Sequence, residues 1–485
     1  MGNCVHFELI VVGAGPAGMA SAWSAAETGV KNVLVVDRNA YSGGILPQCI
    51  HDGFGIHLYK KPLTGPEYAD IWYKKLNDKQ SITLMTSTTI VAVNYSKRPF
   101  VLTYFNQQAG KGMFTADSIV LAMGCREKTL GQMRIPGSRP AGIYTAGAVQ
   151  HMMNMQNFLP GRSVVILGSG DIGLIMARRL TLEGAQVKLI LGEKASGLAR
   201  NYVQCVNDYQ IPIRFGYTLL SVHGYKRLTG VTVAPLDQSG KADIRQKRYI
   251  RCDTLLTATG LIPETELWKT AGHELADNRG VAVNSDGETA VPGVFACGNV
   301  TRIYDLVDMV TIDGIRTGTA AARWINRQQG LDIQVTDNSA KEQSVFVEEP
   351  RYESIADMAD NQHICIACPQ GCRLTVSRVN GHDWVVSGHQ CNRGKDFGIQ
   401  EAIEPKRILT TTVKINSASR PLISVKSTKP IARERLRAAV KQLNCLKLES
   451  PVTVGQVIYR NILDTGADIV ITDGFAEQHT IEKRK

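Results

Sequence analysis

The 485-residue chain has no run of eighteen apolar residues, so no membrane-spanning helix is expected. It has no secretory leader pattern either, because its start runs directly into the strand-like Phe7–Val12. Met1-Gly2-Asn3-Cys4 resembles an acylation signal, but His6 stands where myristoylation needs Ser or Thr. No long Lys/Arg block exists despite a net charge of +11, which argues against nucleic acid as the partner. Attraction to dinucleotide phosphates or to an acidic partner protein accounts for that charge more simply. No Cys-x-x-Cys occurs before residue 365, and with no leader the 11 cysteines suggest a reducing, cytoplasmic setting.

What is present describes a globular enzyme: 44% hydrophobic residues, 20% charged and 45 glycines, on a length that suits roughly three domains. Two strand–turn–helix openings punctuate the first 200 residues. The first pairs Phe7–Val12 with Lys31–Asp37 across an Ala-rich helix; the second pairs Ser163–Leu167 with Val187–Leu191. Pro160-Gly161 starts the second unit abruptly, as an inserted domain would. Ser81–Val93, Phe100–Tyr104 and Phe114–Leu121 are β-rich. Residues 331–362 are polar and suit a linker. Beyond it, Leu409–Ile415 and Leu422–Lys426 read as strands. Arg433–Leu443 reads as a helix with Leu436, Ala439, Val440 and Leu443 on one face.

In Gly13-Ala14-Gly15-Pro16-Ala17-Gly18 the first glycine permits a tight turn, the second admits a pyrophosphate and the third lets helix and strand pack. The helix start then offers N–H groups and partial positive charge to phosphates. Asp37 ends the second strand, about 20 residues on, placed to accept from a ribose. A glycine-rich structural turn is the blander alternative for such a motif. Gly168-Ser169-Gly170-Asp171-Ile172-Gly173 repeats the pattern, with Glu193 about 20 residues further, aligned to Asp37 within one or two positions. An acid there favours NADH mildly over NADPH, although Lys194 beside it weakens the inference. Arg178 and Arg179 are expected as exposed helix residues.

Two such units in one chain resemble the pyridine nucleotide–disulfide oxidoreductase superfamily. Met123-Gly124 and Thr259-Gly260 close two strands in the manner of its crossover motifs, and Gly293–Asn299 resembles its late FAD motif. The resemblance implies an α/β chain with two Rossmann-like domains. The FAD domain (1–155 and 285–330) is split around an NAD(P) domain (156–284), and a linker (331–362) leads to a small α+β cysteine domain (363–485). It implies cofactor contacts from the first turn, from Asp37, Arg38, Gly44, Gly124, Gly298 and Asn299, and, for the nicotinamide, from Gly168, Gly170, Asp171, Gly173, Glu193 and Gly260. The family's late motif normally ends in Asp; Asn299 weakens one hydrogen bond by about 1 kcal/mol, too little to abolish flavin binding.

After Gly43-Gly44 stands a single cysteine, Cys49, so a disulfide substrate is disfavoured: a dithiol relay needs a resolving thiol. Cys49 is a candidate catalytic residue beside the flavin, though a buried free cysteine is more often a small hydrophobe. His51 has the same two readings. Cys365, Cys368, Cys372 and Cys391, spaced C-x2-C-x3-C-x18-C, resemble the [4Fe–4S] motif of molybdopterin oxidoreductases; structural zinc is the alternative. His363 and His389 read as neighbours of that cluster.

Gly43–Gly55, Gly168–Gly184 and Cys297–Asp308 are similar to bacterial FAD/NAD-dependent oxidoreductases found beside glycerol-3-phosphate dehydrogenase-type flavoproteins and related to hydrogen cyanide synthase and opine oxidase subunits. Residues 363–473 resemble the DUF1667 family. The implied activity links NAD(P)H, through FAD and an iron–sulfur centre, to a partner dehydrogenase acting on glycerol 3-phosphate. A self-contained NAD(P)H oxidase or diaphorase with a zinc domain is the second reading, and a redox-responsive binding protein the third.

Overall fold

The computed structural model describes residues 4–331, 359, 361–368, 370–379, 383–417 and 420–474. Most of the expected linker 331–362 lies outside the described residues. The described residues divide into two compact units, 4–126 with 261–331 and 473–474, and 127–260 with those of 359–472.

The first unit is built on one sheet. Strands Ile82–Met85, Val33–Val36 and Val5–Val12 run parallel beside Gly110–Leu121, which also pairs in parallel with Val294–Ala296. The far part of Gly110–Leu121 turns antiparallel to Phe100–Asn106, and that strand to Thr88–Asn94. The inner parts of the central strands, Leu9–Val12 and Val33–Val36, are apolar throughout because both faces are covered. Leu9, Val11, Val33 and Val35 join one core, and Ile10, Val12, Leu34 and Val36 the other. Helices Pro16–Glu27, Gly65–Asn77 and Val307–Gln328 complete the unit. A Thr64–Glu67 capping box starts the second of these, and small residues bring the first and third into backbone contact: a Cβ on Gly318 would fall 2.1 Å from the Ser21 carbonyl.

The second unit has an all-parallel sheet, in the order Ile143–Thr145, Thr254–Thr257, Ser163–Leu167, Gln186–Gly192, Ile213–Phe215. Pairing of Ile143–Thr145 with Thr254–Thr257 draws residues 143–155 into this unit, so it begins at Glu127 where the sequence suggested 156. It ends its first segment at Gly260 where 284 was expected, because the chain from Leu261 onwards folds with the first unit. An antiparallel sheet of Tyr217–Gly224, Leu228–Pro235 and Arg248–Arg251 follows.

The C-terminal part adds a three-stranded sheet (Gln362–Ile364, Arg373–Val379, Asp383–Ser387), the helix Asn392–Ile403 and a five-stranded sheet centred on Thr410–Asn416 and Leu422–Ser427. Helix Leu436–Leu443 buries the four expected residues, Leu436, Ala439, Val440 and Leu443. No helix among the described residues is long and apolar enough to cross a membrane.

Arg178 and Arg179 are buried, not exposed, because the C-terminal part covers their helix, Asp171–Leu182. Arg178 donates to the Ile408 carbonyl (3.1 Å). Arg179 donates to Asn154 (2.8 Å), Thr411 (3.1 Å) and Thr412 (3.0 Å) and pairs with Glu183. Desolvation pushes the Arg179 guanidinium below its ordinary value, against the pull of Glu183.

Candidate functional site

In the first unit the Gly13 N–H donates to the Val36 carbonyl at 2.7 Å, closing the turn between strand and helix. Gly13 has φ +109°, and a Cβ there would stand 2.4 Å from the Ala122 carbonyl oxygen. Only glycine meets both conditions. A Cβ on Gly18 would meet the Gly13 carbonyl at 1.8 Å, so helix and turn touch through main chain. Pro16 occupies the first helical position, and no side chain caps the helix start, whose N–H groups remain available to an anion.

The Gly43–Gly44 loop joins this turn. Gly43 donates to the Ala14 carbonyl (2.7 Å), and a Cβ on Gly44 would lie 3.0 Å from the Gly15 Cα. Asp37 sits under the turn, 7% exposed, with one carboxylate oxygen accepting from Ala14 N–H (2.7 Å) and the other from Asn39 N–H (2.8 Å). Burial raises its pKa, opposed by those two bonds and by Arg38. Arg38 itself is exposed, 3.6 Å from Glu264.

The Gly298 N–H donates to Asp313 (2.8 Å), a buried acid held by Arg316, and Gly298 packs on Ala17 of the first turn. Asn299 accepts from the Tyr304 N–H (3.1 Å) and donates to the Cys125 sulfur (3.4 Å), beside Gly124. Asp313 carried no signal in the sequence, since it meets Gly298 from within helix Val307–Gln328, 15 residues further along the chain.

Cys49 is buried at a packing position: its N–H donates to Leu46 (2.9 Å) and its carbonyl accepts from Gly65 (2.9 Å). Two residues on, His51 packs against Phe54, with ring centroids 4.8 Å apart.

The second unit repeats the first turn closely. Gly168 N–H donates to the Leu191 carbonyl (2.7 Å); its φ is +113°, and a Cβ would stand 2.1 Å from the Ala258 carbonyl, next to Thr259-Gly260. A Cβ on Gly173 would meet the Gly168 carbonyl at 2.6 Å, while beside Gly170 the nearest atom would be Ser196 Oγ at 3.7 Å. That leaves room at the position where a pyrophosphate needs it.

Asp171 begins the helix and braces the following loop, accepting from Leu198 N–H (2.8 Å) and the Asn201 amide (2.7 Å). Tyr202 donates to the Ser169 carbonyl (2.8 Å), and Ser169 Oγ donates to the Lys194 carbonyl (2.7 Å). These side chains strap residues 193–202 onto the glycine turn, a role that no local sequence pattern announces. Glu193 is exposed.

The four cysteines fall in the second unit with graded exposure: Cys365 buried, Cys368 and Cys372 half-buried, Cys391 exposed. Cys365 N–H donates to the Cys372 carbonyl (2.9 Å), and a Cβ on Gly394 would lie 3.8 Å from the Cys365 sulfur. Burial raises the Cys365 thiol to about 11, with smaller contributions from Cys368, Cys372 and Cys391, which places all four in one neighbourhood. Among the described residues, however, no three His, Cys, Asp or Glu side chains stand close enough together to hold one metal ion. The donor chemistry fits a metal centre; its closed geometry is not formed here.

A family model described as pyridine nucleotide-disulphide oxidoreductase matches residues 7–322, more than half of the chain. A second, described as a protein of unknown function (DUF1667), matches residues 392–473 and so begins after the last of the four cysteines. The thioredoxin reductase of Treponema pallidum is 26% identical over 329 residues, 67% of this chain and 98% of its own. The hydrogen cyanide synthase subunit HcnB of Pseudomonas protegens is 25% identical over 337 residues, 64% of this chain and 67% of its own. An opine oxidase subunit of Agrobacterium tumefaciens is 25% identical over 323 residues, 60% of this chain and 61% of its own. Among solved structures, the thioredoxin reductase of T. acidophilum superposes with a TM-score of 0.54 at 22% identity, covering 65% of this chain and 98% of that one. At that identity the likeness is one of fold.

Proposed function

The chain belongs to the pyridine nucleotide-disulphide oxidoreductase family, and from that premise we propose a flavin-dependent NAD(P)H oxidoreductase, with FAD on the Gly13–Gly18 turn and the nicotinamide dinucleotide on the Gly168–Gly173 turn. The observation that carries this reading is the duplicated cradle. Each turn presses its first glycine on a strand-end carbonyl, Ala122 or Ala258, and leaves its second glycine open before a helix start that no side chain caps.

Bound there, the flavin supplies hydride acceptance and release of electrons singly. The protein's part is to bind and orient. Gly15 and Gly170 admit the pyrophosphates, the helix starts favour their charge, and Asp37 accepts from a ribose hydroxyl. Asn299 keeps an acceptor oxygen at the late motif, and Asp313 fixes the Gly298 main chain beside it.

The finer reading makes Cys365, Cys368, Cys372 and Cys391 the ligands of a [4Fe–4S] cluster, with zinc as the alternative; it rests on their C-x2-C-x3-C-x18-C spacing, since no three of them converge among the described residues. Two of the relatives carry the word subunit in their names, which favours a chain working beside a partner dehydrogenase. A glycerol-3-phosphate partner rests on the sequence resemblance alone. Anaerobic purification with flavin, iron, sulfide and zinc quantified together tests the whole reading. Flavin with iron and sulfide supports it, flavin with zinc supports the stand-alone oxidase, and a colourless protein that takes up no added FAD ends both.

A further inference from the structure

In the first unit Val12 pairs with Val36 in register, and Gly13 N–H bonds the Val36 carbonyl; the next residue is Asp37. In the second, Leu167 pairs with Leu191, and Gly168 N–H bonds the Leu191 carbonyl; the next residue is Gly192. The structural counterpart of the ribose-facing Asp37 is therefore Gly192, and Glu193 lies one residue beyond it.

The space itself is taken. Asp37 reaches back to the N–H of Ala14, whose counterpart is Ser169. A Cβ on Gly192 would fall 2.6 Å from Ser169 Oγ and 3.2 Å from the Lys194 carbonyl that this hydroxyl bonds. Ser169 thus fills the volume where a carboxylate would sit and draws the following backbone inward. Glu193 and Lys194 are both exposed, and Glu193 is held by its main chain, through its carbonyl to Gly216 N–H (3.0 Å).

A carboxylate rejects a 2′-phosphate when it is fixed and desolvated against the ribose. A solvated glutamate beside a solvated lysine exerts no such field.

We infer that the second turn accepts nicotinamide dinucleotides with or without a 2′-phosphate, because Gly192 and Ser169 replace the discriminating carboxylate. The inference rests on the proposed reading of this turn as the nicotinamide site, and it replaces the mild preference for NADH drawn from Glu193.

Calorimetric titration of the full-length, flavin-loaded protein with 5′-AMP and with 2′,5′-ADP tests it without turnover. Wild-type affinities within about tenfold of each other are expected, on the absence of a fixed charge. The double variant S169A/G192D removes the 2.6 Å contact and restores the acid; the residue-169 Cβ (3.0 Å) and the Lys194 carbonyl (3.2 Å) then need to give by only a few tenths of an ångström. Gly192 lacks a left-handed φ, so the main chain tolerates the change. This variant should lose 2′,5′-ADP about a hundredfold relative to 5′-AMP while keeping its flavin. Wild-type rejection of 2′,5′-ADP that E193Q relieves would overturn the inference, as would a double variant with an unchanged ratio. Binding of neither nucleotide would instead remove the nicotinamide reading of the turn, and the inference with it.

Discussion

Arg407 of the C-terminal part and Asp208 of the nucleotide-binding half of the second unit form a two-pronged ion pair (2.6 and 3.0 Å) in which both side chains are 3% exposed. The other edge of the guanidinium is taken by Glu401 (2.6 and 2.7 Å), and Arg433 reaches Asp208 at 3.4 Å. Burial works against the Arg407 charge, but the bonds and charges of Glu401 and Asp208 outweigh it and hold the group above its ordinary value. Removing Arg407 leaves Glu401 without its cation and the buried Asp208 with only the longer Arg433 contact, a loss of about 3 kcal/mol, the lower end for a broken buried pair. Asp208→Asn leaves Arg407 with Glu401 and costs less. Urea unfolding should rank Arg407→Met as the more damaging change; equal, small losses would show that the pair is not desolvated.

Gly13→Ala places a Cβ against the Ala122 carbonyl and forces a left-handed φ on alanine, so the purified variant should lose its flavin absorbance. Gly168→Ala repeats the insult at Ala258 but should keep the flavin and lose nucleotide binding. Flavin loss in both variants would contradict separate sites.

The Asp37 carboxyl, raised above its ordinary 3.8 chiefly by burial, sets a pH dependence. Its ionised form is the better acceptor for a ribose hydroxyl, so FAD affinity of the flavin-free protein should fall as pH drops through the raised pKa towards 3.8 and be flat above it. The sign for stability is opposite. With more protons bound folded than unfolded in that window, the group's contribution is fullest below 3.8 and is lost as pH rises through the folded pKa. Asp37→Asn should flatten both profiles; an unchanged FAD profile would place the titration elsewhere.

Should the cysteine neighbourhood bind a cluster, Cys391→Ser or Cys365→Ser lowers iron and sulfide together, while the exposed Cys445 outside the group tolerates the same change. Equal metal content in all three variants would contradict the assignment.

Both glycine turns were legible because their requirements are local: a tight turn, an open second position and a close third are written into consecutive residues. Helix Leu436–Leu443 was legible for the same reason, its four apolar residues lying on one face. Arg178 and Arg179 misled because two arginines on a helix read as solvated until a sheet more than 200 residues later covers them. The place of Glu193 was legible only to within one or two positions, and the structure sets it one residue beyond the counterpart of Asp37, since strand ends are fixed by pairing with neighbours and not by spacing along the chain. Asp313 and Tyr202 act across folded distances and left no motif behind.

The proposed function requires the two dinucleotide cradles to serve one electron path from nicotinamide to flavin. Anaerobic titration of the FAD-loaded protein with NADH or NADPH, followed by its visible absorbance, tests it most directly. The oxidised flavin band should bleach in proportion to added nicotinamide and return when an oxidant is admitted. A band that neither nicotinamide diminishes, in a protein whose flavin dithionite does bleach, would contradict it.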